Sequence, residues 1–279
     1  MTAQSFQNAW NILVPTSATN VNNQGTLGIE RFHILKGKTS RLAVTINDLH
    51  IPFESKKSVK KVLALLEALQ PDDIILNGDI LDCYSISKHM KRVERKETLQ
   101  DEFDQGKAFL AKLRMICPNA RIRYTIGNHE ARLYTYLNSE AKALAVLNSL
   151  KFENLMGLKD VGVELFGTDG FLLNRNYLVL HGDVAAAHNG MSAQKMFAKV
   201  NMSGSMGHCH RAGRFVKVCA GGRFEFVENG CLCDLNPEYI SGVPNWEHSF
   251  LLTEYNRDRF YNRLVRFVDG GFVVDGVRF

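Results

Sequence analysis

Five short blocks of this 279-residue chain gather the side chains that could do chemistry: Asp48-Leu49-His50, Gly78-Asp79-Ile80-Leu81-Asp82, Gly127-Asn128-His129-Glu130, His181-Gly182-Asp183 and Gly207-His208-Cys209-His210. Carboxylate, imidazole and amide oxygen together suit Mn, Fe or Zn, and the blocks lack the thiolate cluster of a structural zinc or iron–sulfur centre. The chemistry such donors support is hydrolysis. Two ions about 3.5–4 Å apart can share a carboxylate and a water, lower that water's pKa and clamp a phosphoryl oxygen. Each block alone is weak: Asp48 with His50 is an ordinary loop spelling, and Gly78-Asp79 is a common turn. Together they are not, because five of the nine histidines fall inside them.

The elements that must position these blocks are legible beside them. Leu42–Ile46, Asp73–Leu76, Ile122–Ile126 and Tyr177–Leu180 are short apolar or β-branched runs, and each ends directly at a block. The blocks are therefore expected on strand-end loops, where ligands converge in open α/β sheets. Between the first two strands, Val59, Val62, Leu63, Leu66 and Leu69 recur at helical spacing, with Lys56, Lys57, Lys60 and Lys61 off that face and Pro71 beyond. This predicts an amphipathic crossover helix. A second helix is expected from about Glu97 to Ile116, and a third from near Glu130 toward Leu150 with interruptions. Strand–helix alternation gives an α/β class. After Gly207, the runs Arg214–Val218, Arg223–Val227, Phe250–Leu252 and Leu264–Val268 are expected to form an antiparallel second sheet.

The order and types of the blocks resemble the calcineurin-like metallophosphoesterases, whose pattern reads D-x-H, G-D-x-x-D, G-N-H-[DE], H, G-H-x-H. The resemblance covers roughly Arg41 to His210. It implies two packed β-sheets flanked by helices, a four-layer αββα sandwich, around two divalent ions, manganese foremost with iron or zinc as alternatives. It assigns Asp48, His50 and His210 to one ion, Asn128, His181 and His208 to the other, and Asp79 as the bridge. In that pattern His129 stays off the metals and assists the leaving group as a general acid, oriented by Asp82, while a metal-activated hydroxide attacks phosphorus. The alternative is a structural Asp82–His129 pair bracing two loops. Glu130 reads as a helix-start residue favoured by the helix dipole. Cys209, between two of the assigned ligands, reads as packing.

The substrate is less legible. Where protein phosphatases of this superfamily carry an arginine-glycine pair after the second aspartate, this chain has Cys83-Tyr84. That departure favours a phosphodiesterase acting on nucleic acid or nucleotides over a phosphomonoesterase of the protein-phosphatase kind, with a non-catalytic metal-binding scaffold as a third reading. Lys88 and Arg132 are candidates for the missing phosphate-gripping charge. Ser87–Lys96 carries five basic residues against one acidic, which could draw a polyanion or be a solvated helix face. Tyr239 and Trp246, in long turn-rich segments, could stack on a base or pin their loop. The layout resembles bacteriophage and bacterial metallophosphoesterases more than eukaryotic phosphatases.

Length and composition frame the rest. A chain 45% hydrophobic with net charge +5 can bury a large core and permits, without demanding, a polyanionic partner. Thr16–Gly28 is polar and uncharged, so residues 1–40 read as an arm or tail and 41–279 as one catalytic domain. No basic region precedes the short apolar N-terminal stretch, Pro15 interrupts its continuation, and nothing approaches a membrane span. A cytoplasmic protein with six reduced cysteines is expected.

Overall fold

Three of the four runs that precede the blocks lie in one sheet. The computed structural model describes residues 40–88, 95–236 and 244–279. Within these, β1 (Arg41–Ile46), β2 (Asp73–Asn77), β3 (Arg121–Thr125) and β4 (Val163–Phe166) pair in parallel. β10 (Ser249–Tyr255) pairs antiparallel with β1, and β11 (Phe260–Arg266) with β10, giving the order β11-β10-β1-β2-β3-β4. Alternation along the strands sends Val44, Ile46, Ile74 and Leu76 to one face and Ala43 and Ile75 to the other. The first face packs on α1 (Lys56–Leu69), α2 (Leu99–Ile116) and α3 (Asn128–Glu140), and on Phe152 of the short α4 (Phe152–Leu155). Ser55 caps α1 by accepting from the Ser58 amide, and Thr98 with Asp101 forms a capping box on α2.

The second sheet has the order β5 (Phe171–Asn174), β6 (Tyr177–Val179), β7 (Ser203–Met206), β9 (Gly222–Asn229), β8 (Ala212–Cys219). Ala43, Ile75 and Tyr255 of the first sheet meet Phe171, Leu173, Tyr177 and Val179 between the sheets. On the outer face, Ala193, Met196 and Phe197 of α5 (Met191–Val200) pack on Leu180, Met206 and Phe226. The fold is thus α/β, with two mixed sheets flanked by helices. No described helix is long and apolar enough to cross a membrane.

Two expectations about the second half need correction. The four C-terminal runs do not share a sheet: Arg214–Val218 and Arg223–Val227 lie in β8 and β9, whereas Phe250–Leu252 lies in β10 of the first sheet and Leu264–Val268 in β11 and its continuation. Phe250–Leu252 is buried throughout, which suits a strand with neighbours on both sides, and β10 supplies β1 with its second partner. Nor is the second sheet purely antiparallel, since β6–β7 and β7–β9 are parallel. β7 carries no apolar run, yet all four residues are buried. A Cβ at Gly204 would collide with the Leu178 carbonyl and the Phe226 ring, so the strand is small because its neighbours press on it. The expected third helix stops at Glu140, and turns carry the chain from there to Leu150. Residues 1–39 of the expected arm lie outside the described residues.

Candidate metal centre

The blocks converge at the carboxyl ends of strands from both sheets. Asp48 and His50 follow β1, Asp79 and Asp82 follow β2, Asn128 opens α3 after β3, His181 follows β6, and His208 and His210 follow β7. The first two loops are tied by backbone bonds, the Asp48 amide donating to Gly78 O at 3.1 Å and the His50 amide to Asp79 O at 3.0 Å. Asp48, His50, Asp79, His208 and His210 all have φ between 50° and 66°, the left-handed region. Such residues each cost on the order of 1 kcal/mol and cluster at functional sites; Asp and His tolerate the conformation better than most. Gly78, at φ +80°, has a second constraint: a Cβ there would lie 2.5 Å from Nδ1 of His181.

The donor atoms fall into two groups around Asp79. In the first, Oδ2 of Asp48 accepts from Nδ2 of Asn47 at 2.5 Å and from the His208 amide at 3.0 Å. Among the described residues its Oδ1 is buried with no hydrogen-bond partner, 3.0 Å from Nε2 of His210 and 3.8 Å from Nε2 of His50. Those two Nε2 atoms are 3.1 Å apart. Ligands about 2.0–2.2 Å from one ion sit about 3 Å from each other, so this spacing and the orphaned carboxylate oxygen fit a shared cation. In the second group, Oδ1 of Asn128 is 2.7 Å from Nδ1 of His208 and 3.2 Å from Nε2 of His181. The Nδ1–H of His181 donates to Asn77 O at 2.8 Å, which turns Nε2 toward the centre in the way metal-ligating histidines are held. Oδ2 of Asp79 lies between the groups, 3.1 Å from His181 Nε2 and 4.0 Å from His50 Nε2.

Charge is concentrated here. Burial opposes a charge on His181, but Asp79 and Asp48 outweigh it and push its pKa up to about 10. Burial likewise opposes ionisation of Asp82, yet hydrogen bonds from His129 and His50 hold it well below the usual carboxylate range. The buried carboxylates therefore demand positive charge beside them, and a metal ion would compete for that place with imidazole protons.

Asp82 serves two rings, where the sequence pointed to one. Its Oδ1 is 2.9 Å from Nδ1 of His129 and 3.0 Å from Nδ1 of His50. Nε2 of His129 lies 3.8 Å from Oδ2 of Asp79. Arg132 donates through Nη1 to Asp82 O at 2.8 Å, and its Nη2 is 3.0 Å from His129 Nε2. A guanidinium has only donors, so Nε2 accepts there and Nδ1 carries the ring proton toward Asp82.

Glu130 has far more to do than favour a helix start. It is fully buried. Oε1 accepts from the Ile80 and Leu81 amides at 2.7 and 3.0 Å and from Tyr124 Oη at 2.7 Å; Oε2 accepts from the Asp79 and Gly127 amides at 3.0 and 2.9 Å. One carboxylate thus braces the Asp79 loop against α3. Glu130→Ala is expected to lower stability by at least about 3 kcal/mol, since several buried donors lose their acceptor at once. A wild-type denaturation midpoint for that variant would remove the bracing role.

Among the other candidates, Trp246 packs edge-on against His210, ring centroids 4.2 Å apart, so the structure brings it to a ligand candidate. Lys88 lines a cavity with Asn128 and Arg132. Tyr239 and residues 89–94 of the basic run lie outside the described residues; Arg95 of that run stacks over Phe53 at 3.7 Å. Cys209 is buried, its Sγ 3.7 Å from Glu228 Oε2 and 3.8 Å from Arg211 O. Sequence reasoning missed Asn47 and Cys233, whose Sγ lies 3.8 Å from His210 Nδ1. The close Cys231-Leu-Cys233 spacing was the one available signal for the latter. All six cysteines are free thiols.

Residues 43–208, more than half of the chain, match the calcineurin-like phosphoesterase model. The proteins called Gene 54 protein in Mycobacterium phages D29 and L5 are each 28% identical over 251 residues, 85% of this chain and 98% of theirs. Among solved structures, vacuolar protein sorting 29 from Cryptosporidium parvum aligns with TM-score 0.46 and 16% identity, covering 86% of this chain and 98% of that one. Vps29 from Chaetomium thermophilum aligns with TM-score 0.41 and 13% identity, covering 81% and 85%. Nothing about activity follows from likeness at that level.

Proposed function

The chain belongs to the calcineurin-like phosphoesterase family, and from that premise we propose a two-metal phosphodiesterase of the cytoplasm that cleaves esters of nucleic acid or nucleotides. The observation that carries this reading is the convergence of seven donor-bearing side chains on two adjoining points, with Oδ1 of Asp48 buried between two imidazoles and in no hydrogen bond among the described residues. Asp48, His50 and His210 would hold one ion, Asn128, His181 and His208 the other, with Asp79 shared; residues 41–279 would form one catalytic domain. When bound, manganese, iron or zinc ions supply Lewis acidity that activates water and neutralises phosphoryl charge.

The protein's own groups do the rest. Asp82 holds the His129 ring through Nδ1, so Nε2 is the atom that can deliver a proton to the departing oxygen. Arg132 occupies Nε2 in this structure. A substrate phosphate offers that guanidinium a charged, bidentate partner, and drawing it away opens Nε2 to the proton it must carry. Arg132 also supplies the cation that the Cys83-Tyr84 spelling lacks, while Cys83 itself is buried.

That guanidinium supports the second reading as well, because a terminal phosphate presents more oxygens to it than a diester does. Steady-state rates on bis-p-nitrophenyl phosphate and p-nitrophenyl phosphate, both with Mn²⁺, separate the two. The diester is expected to turn over at least about tenfold more efficiently, a difference of about 1.4 kcal/mol in transition-state stabilisation. The reverse order would establish the phosphomonoesterase.

A further inference from the structure

Beside the metal centre opens a cavity of about 390 Å³ whose far end, beyond Asn128 and Arg132, the proposed metal chemistry does not use. One wall is a single face of α3, on which Asn128, Arg132, Tyr136 and Glu140 follow at intervals of four residues; the turn that carries Lys88 forms the other. At 1.5 Å per helical residue, Tyr136 sits about 6 Å beyond Arg132 and Glu140 about 12 Å beyond it. Moving along α3 away from Asn128, the cavity therefore offers a guanidinium, then an aromatic ring, then a carboxylate, with Lys88 among the residues of the facing wall. The ring is 41% exposed, and no described ring packs against it. Neither Lys88 nor Glu140 makes an ion pair among the described residues.

Resting on the phosphodiesterase reading, we propose that this cavity is the base-binding subsite for an unpaired nucleotide next to the scissile phosphate, with specificity for a base that presents an amino group. The volume lies in the range of small-ligand sites, about 300–1,000 Å³. Arg132 and Lys88 take the phosphate, Tyr136 stacks on the base, and Glu140 accepts from its exocyclic amine. The order of groups along the wall, cation, ring and carboxylate, is the order of phosphate, base face and base edge along one nucleotide. A paired base could not enter this way, because its stacking faces and Watson–Crick edge are both occupied. Proteins that read single strands use these two contacts, stacking on aromatic rings and hydrogen bonding to the freed edge. A carboxylate accepts from the cytosine N4 amino group, whereas thymine offers an oxygen at that position.

The test is equilibrium binding of fluorescein-labelled (dC)₄ and (dT)₄ to the full chain, read by anisotropy, alongside hydrolysis of bis-p-nitrophenyl phosphate, which has no base. The wild-type protein is expected to bind (dC)₄ at least fivefold tighter than (dT)₄. Tyr136→Ala should weaken both by about tenfold, the scale of one lost base stack, and by several times more than any loss on the small diester. Tyr136→Phe should restore binding. Glu140→Gln should erase the preference for (dC)₄ with a smaller effect on (dT)₄. Tyr261→Ala, another exposed tyrosine, on β11, serves as the control and should bind as wild type. Wild-type binding by Tyr136→Ala, or a loss of equal size on the base-free diester, overturns the subsite. Tyr136-dependent binding of a phosphopeptide but of neither oligonucleotide overturns it in favour of a protein substrate. Failure of the wild-type chain to hydrolyse the diester rejects the phosphodiesterase reading separately, while the binding measurements still decide the subsite.

Discussion

Asp79→Asn is expected to abolish turnover and to leave the purified protein short of metal. Oδ1 of Asp79 accepts from the His129 amide at 2.9 Å, which aims Oδ2 at the imidazoles of both donor groups. An asparagine cannot keep both contacts. With its oxygen toward the imidazoles, its NH₂ meets the His129 N–H donor to donor; turned over, its NH₂ points at the place proposed for the cation. The shared negative charge is lost in either orientation. The effect should exceed the roughly 10–100-fold that accompanies loss of a group merely supporting a ligand. Asp183 provides the comparison, because it follows His181 by two residues yet pairs with Lys199 at 2.8 Å on the surface. Asp183→Asn should retain metal and activity. Metal analysis and diester turnover of both variants check this, and full metal content with normal turnover in Asp79→Asn would sink the bridging assignment.

His129→Ala should slow diester hydrolysis by about 10²–10⁴, the range for losing a general acid, with metal content unchanged from wild type. Leaving-group dependence identifies the cause: p-nitrophenolate departs without a proton, so its ester should suffer less than a dinucleotide whose leaving group is a sugar alkoxide. Asp82→Asn should behave differently from a mild copy of that variant. Its Oδ1 accepts from His50 as well as His129, so the substitution loosens a ligand candidate along with the acid. Metal affinity should fall about 10–100-fold, as it does when a ligand's supporting carboxylate is removed. Titration with Mn²⁺ separates the two, since high metal should recover part of the Asp82→Asn rate and none of the His129→Ala rate. Loss of metal from His129→Ala would make that ring a ligand or a brace.

What the sequence determined by itself was the local chemistry. Apolar runs such as Leu42–Ile46 and Asp73–Leu76 marked strands because alternation and β-branching act between near neighbours. The blocks at their ends marked loops for the same reason. Residue type, order and spacing named Asp48, Asp79, Asp82, Asn128 and the five block histidines as candidates, since each motif is only a few residues long.

The tertiary structure decided what depends on segments distant in sequence. β7 has no apolar run to mark its bounds, because Gly204 is dictated by Leu178 and Phe226 on its neighbours, not by any pattern of its own. β10 joined the first sheet because β1 had room for it there, a fact absent from Phe250–Leu252 alone. Glu130 looked like a helix-start residue, and only folding brought it the amides of Asp79, Ile80 and Leu81, about fifty positions away. Asp82 acquired His50 in the same way. Motifs name the groups that can act; which second partner each one meets is set by strand order and loop closure, and those are properties of the whole chain.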